Sequence, residues 1–87
     1  MKYNKQKELP MNLRPLGPNQ TLIITDDGSE YFFSYQTCVA GYTPGEGYWR
    51  TSTKHSVTTS KHTNKYLDGV TATTVDQSDI DLSLSTF

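Results

Sequence analysis

The stretch Thr21–Gln36, TLIITDDGSEYFFSYQ, decides the fold of this chain. Two runs rich in β-branched and aromatic residues flank Asp27-Gly28, a pair whose tolerance of positive φ suits a type I′ hairpin turn. A two-residue loop there sets Ile24 opposite Tyr31 and Leu22 opposite Phe33. Side chains alternate along a strand, so Leu22, Ile24, Tyr31, Phe33 and Tyr35 fall on one face, the expected core. Ile23 and Phe32 then lie on the other face.

Downstream, Thr37–Thr53 (TCVAGYTPGEGYWRTST) reads as a second hairpin. Pro44-Gly45-Glu46-Gly47 forms its loop, with Tyr42 opposite Trp49. Gly41 inside that strand marks a bulge or a close backbone approach. An antiparallel meander of three or four strands results. Upstream, residues 1–19 carry Pro10, Pro15 and Pro18 and no sustained period, which reads as an extended arm. Residues 20–87 form the single domain.

Ser56–Gly69, SVTTSKHTNKYLDG, is the helical segment. Thr58, Thr59 and Ser60 offer capping hydroxyls, and Gly69 stands where the helix stops, giving a helix near residues 59–68. Lys61 and Lys65, four apart, share a face with Ser60 and Asn64, opposite Thr63, Tyr66 and Leu67. The last residues alternate in DIDLSLS yet carry acids after Thr74, where a helix start would want them, so strand and helix both stay open. The expected fold class is α+β: a small antiparallel sheet of two hairpins, one packed helix and an unassigned C-terminal element.

Composition sets bounds on this domain. With 87 residues and 33% hydrophobic positions, aromatic side chains must supply much of the core area. Cys38 is the one cysteine, which excludes an internal disulfide, and without a basic neighbour in sequence it reads as a small buried hydrophobe. No apolar run reaches the length of a membrane span, so the expected location is a cytoplasm and no membrane contact is expected. The net charge of −1 conceals sorting along the chain. Asp26, Asp27, Glu30 and Glu46 form one acidic block. Arg50, Lys54, Lys61 and Lys65 form a basic one, and every charge from Asp68 onward is an aspartate.

The motifs FFSYxTxVA (Phe32–Ala40) and TTSxHxNxxL (Thr58–Leu67) resemble a small uncharacterised domain of bacteriophage genomes. The resemblance covers about residues 20–67, implies an infected bacterial host as the setting, and brings no assigned activity or catalytic residue. Thr63 departs from the pattern, in which an aliphatic residue stands at that position, and this bears on how closely the helix packs.

No catalytic or cofactor motif is legible. His55 and His62 are seven apart, with neither a second cysteine nor a carboxylate at zinc-site spacing, so no metal is expected. The serines lack a strand-to-helix elbow, and GEG belongs to a hairpin loop rather than a phosphate-binding loop. The expectation is a protein without enzymatic activity or cofactor. Its leading reading is an accessory protein that binds and modulates a host protein or nucleoprotein through a face containing Ile23 and Phe32. The alternative is a nucleic-acid-binding module built on Arg50, Lys54, Lys61, Asn64 and Lys65, with Tyr48 and Trp49 as stacking surfaces. Against the alternative stands a pI near 6.0.

Overall fold

The turn at Asp27-Gly28 holds one residue more than a two-residue loop, and that residue sets the register of the sheet. The computed structural model describes residues 11–85. Thr25 N–H donates to Ser29 O at 2.9 Å and Gly28 N–H to Thr25 O at 3.0 Å, so Asp26, Asp27 and Gly28 form the loop, with Gly28 at φ 90°. The Asp27 carboxylate accepts from the Thr25 hydroxyl and from Ser29 N–H. These bonds, the Thr25 hydroxyl first, hold its carboxyl below the ordinary value.

The first strand is β1 (Met11–Gly17), followed by β2 (Gln20–Thr25), β3 (Glu30–Ser34), β4 (Thr37–Thr43) and β5 (Gly47–Thr51). Helix α1 (Val57–Leu67) leads to a short strand β6 (Thr73–Val75), and α2 (Gln77–Leu84) ends the described chain. The strands lie in sequence order in one six-stranded sheet. β1 to β5 form an antiparallel meander, while β6 returns across α1 to pair parallel with β5. The α+β class holds, with a six-stranded sheet and two helices where two hairpins and one helix were expected.

Three expectations need correction. Leu22 pairs with Phe32, Ile23 with Tyr31 and Ile24 with Glu30. The extra loop residue slips β3 by one position and so turns its side chains to the opposite faces. Phe32, expected on the second face, is fully buried in the core with Leu22, Val39 and Ala40, whereas Tyr35 sits exposed in the next turn at φ 58°. In the second hairpin Trp49 pairs with Gly41, and Tyr42 with Tyr48. Finally, residues 11–17 of the expected arm pair with β2 as an edge strand, which tolerates Pro15; residues 1–10 of that arm lie outside the described residues.

Each face of the sheet carries one helix. On the first, Tyr66 of α1 stacks on Phe32 with ring centroids 4.7 Å apart and planes 6° from parallel, and its hydroxyl donates to Glu30 at 2.8 Å. Such a stacked pair contributes about 0.5–1.5 kcal/mol beyond the area it buries. Thr59, Thr63 and Leu67 of α1 are buried with it, and the Thr63 hydroxyl donates to Thr59 O at 2.9 Å. A threonine at this position therefore packs without an orphaned polar group. Ser56 caps α1 by accepting from Thr59 N–H, two residues before the first of the hydroxyls expected to cap it, and Asp68 ends it in the left-handed region at φ 48°.

On the second face Ile80 of α2, 3% exposed, sits by Tyr31, Trp49 and Val75. Gln77 fixes the start of α2 by donating to Cys38 O at 2.8 Å. The C-terminal element left open by the sequence is thus a helix. Gly41 faces Trp49 because nothing larger fits: a Cβ there would lie 2.2 Å from Trp49 Cζ2 and 2.3 Å from Glu30 O. The bulge sits nearby, where Phe32 pairs with Ala40, Phe33 with Cys38, and Val39 is the extra residue.

Candidate nucleic-acid interface

Strand β5 feeds both faces of the sheet, since consecutive side chains point to opposite sides. Tyr48 turns toward α1, where it meets Tyr42 (4.8 Å between centroids) and Tyr66 (6.0 Å). Trp49 turns toward α2, meets Tyr31 edge-on at 6.0 Å, and donates its indole N–H to Thr43 Oγ1 at 3.1 Å. Arg50 returns to the α1 side and donates to Asn64 Oδ1 at 3.4 Å.

Beside Arg50 a cleft of about 430 Å³ opens between β5, the loop of residues 52–56 and α1. Its wall consists of Arg50, Lys54, His55, Asn64 and seven serine or threonine residues, without a carboxylate or an apolar side chain. Local chemistry holds the loop. Ser52 N–H donates to Val75 O at 2.8 Å, Thr51 Oγ1 accepts from Thr53 N–H at 3.1 Å, and a His55 ring nitrogen lies 3.1 Å from Gln77 Oε1. One carboxylate, Asp76, reaches the rim through the Ser52 hydroxyl at 3.4 Å.

Arg50, Lys54 and Asn64 are therefore brought together. Lys61 and Lys65 lie exposed on the solvent side of α1 and do not line the cleft. Tyr48 is half-buried among rings and Trp49 is on the opposite face, so neither is a stacking surface beside Arg50. Phe32 is withdrawn from any contact face by its burial, and Ile23 is half-buried opposite α1. Sequence reasoning missed Thr59, Thr63 and Thr74 as wall residues. Thr74 arrives only through the parallel pairing of Arg50 with Thr74, which leaves no local signal.

Two groups with nucleophilic chemistry have structural roles. Ser34 Oγ lies 2.8 Å from His62 Nδ1 and donates to Thr59 Oγ1 at 3.1 Å. Ser34 is only 1% exposed, so a substrate cannot reach it, and the triad of side chains pins α1 to β3. Cys38 is also 1% exposed, and burial pushes its thiol up to about 12, which keeps it protonated and unreactive at neutral pH. Among the described residues no group of three or more His, Cys, Asp or Glu is placed to hold a metal ion, and no helix is long and apolar enough to cross a membrane.

No curated protein and no solved structure matches the chain. The model of the family DUF8033, a family of unknown function, does match it over residues 11–82, which spans the sheet, α1 and most of α2, and the chain belongs to that family.

Proposed function

We propose that this chain is a nucleic-acid-binding module that holds a sugar-phosphate backbone in the cleft between β5 and α1. The observation that carries this reading is the composition of the cleft wall: two cations, a histidine, an amide and seven serine or threonine residues, of which Thr59 and Thr63 are buried. Arginine, lysine, asparagine, serine and threonine are the side chains that contact phosphate oxygens and sugars. A wall with no Phe, Tyr or Trp, whose one ring is the His55 imidazole held beside Gln77, favours backbone contact over base stacking, so binding should tolerate sequence. Lys61 and Lys65 extend the positive potential along α1, where a strand leaving the cleft would run.

Anisotropy titration of short labelled single- and double-stranded DNA and RNA at about 50 and about 200 mM salt tests this. Affinity should drop steeply with salt, and Arg50→Gln with Lys54→Gln should weaken it about tenfold and flatten the salt slope by about 1–2. Absence of binding at the lower salt would sink the reading.

A second reading, an accessory protein of phage type that docks on a host protein, draws on the sheet face opposite α1. There Leu13, 66% exposed, pairs directly with Ile23. That reading predicts capture of one host protein from a bacterial lysate, retained after nuclease treatment and lost with Leu13→Asp.

A further inference from the structure

A second cleft, of about 210 Å³, lies on the other side of the sheet under α2. Its chemistry is the reverse of the first. Tyr31, Trp49, Val75 and Ile80 form an apolar and aromatic floor, and Glu46 and Asp79 stand exposed beside it. Among the described residues neither of these two carboxylates has a side-chain hydrogen bond or an ion pair. The indole is held in place, with Gly41 allowing it close to the sheet and its N–H fixed on Thr43. The indole is therefore preorganised beside Tyr31 rather than collapsed into the gap. A third carboxylate, Asp27, is near enough to add to burial in pushing the Tyr31 phenol up.

We propose that this cleft is a docking site for a single arginine side chain presented by a basic segment of a partner protein. A guanidinium is attracted to the face of a tryptophan or tyrosine ring within about 6 Å, and the arginine stem packs on apolar surface such as Val75 and Ile80. Two unpaired carboxylates at the mouth supply the charge complement. Size selects the occupant. Sites for whole small molecules run from about 300 to 1,000 Å³, so this smaller cleft fits one side chain of a chain that continues past it. The site shares no wall residue with the basic cleft, so it stands or falls independently of nucleic-acid binding.

Trp49 is the one tryptophan in the chain and reports directly. The probe is a short arginine-rich peptide amide, compared with the same peptide carrying the neutral isostere citrulline. The arginine peptide should shift Trp49 emission and saturate, while the citrulline peptide binds at least about tenfold more weakly. Glu46→Gln with Asp79→Asn, both exposed and therefore tolerated by the fold, should weaken the arginine peptide about tenfold as well. Three results would overturn the proposal: no saturable shift, equal binding of the citrulline peptide, or unchanged affinity in the double variant.

Discussion

The two clefts face away from each other across one sheet, and adjacent residues of β5 open them. Arg50 serves the cleft under α1, in a wall of hydroxyls and cations, while Trp49 serves the cleft under α2, where rings meet carboxylates. The difference teaches how a chain with net charge −1 can present a basic site: its charges are sorted into blocks along the sequence, and the alternation of β5 turns Arg50 to the α1 side and Trp49 to the side where Glu46 and Asp79 stand. Under the two proposals, partner choice follows from the face approached. The two sides also differ in how they are secured, α1 by a polar and aromatic seam (Ser34, His62, Tyr66, Glu30), α2 by Ile80 and Gln77.

The largest test of this division is Gly41→Ala. Its Cβ would collide with both the Trp49 ring and the Glu30 carbonyl, one of which is backbone that cannot swing away. The substitution should cost about 3 kcal/mol and abolish the near-ultraviolet signature of Trp49, which urea unfolding and circular dichroism would record. A variant as stable as the parent would show that the indole is not seated as described.

Tyr66→Phe probes the opposite side. It keeps the stack on Phe32 but removes the hydroxyl donated to Glu30, for an expected loss of about 1.5–3 kcal/mol, since the acceptor is a carboxylate. Ser56→Ala removes the α1 cap and should cost about 1 kcal/mol, with amide exchange rising first at Thr59. Both should leave Trp49 emission unchanged; a shift in it would mean that the two faces are coupled.

Alkaline titration gives a smaller, graded effect. Burial raises the Cys38 thiol from 9.0 to about 12 and also raises the Tyr66 phenol, with the Glu30 hydrogen bond reinforcing it. Groups raised in the folded state stabilise it fully below their unfolded values. That contribution is lost as pH climbs from about 9 toward 12. Urea midpoints should therefore fall across that window, and Cys38→Ala should remove the part due to the thiol. A flat profile between pH 9 and 12 would contradict the burial assigned to both groups.

What was legible in the sequence follows from which signals are local. The helix could be read because its hydroxyl-rich start, lysine side and Gly69 stop are contiguous, and Arg50, Lys54 and Asn64 could be gathered from the same basic block. The register of β3 could not, because Asp27-Gly28 fits a two-residue turn as well as the three-residue loop that Thr25 and Ser29 close. That single residue exchanged Phe32 for Phe33 in the core. β1 was hidden by Pro15, which an edge strand accommodates, and by Pro10 and Pro18 on either side of it, and β6 by its length of three residues, two of them exposed threonines. Its parallel pairing is decided by the path of α1, a tertiary fact with no local pattern.

The most direct measurement is an amide and indole NMR titration of the protein with a short single-stranded oligonucleotide at low salt. The account predicts shifts concentrated in residues 50–55 and 59–64, removed by added salt, with the Trp49 indole N–H unmoved. Shifts centred on Tyr31, the Trp49 indole and Ile80, or no shifts at all, would contradict it.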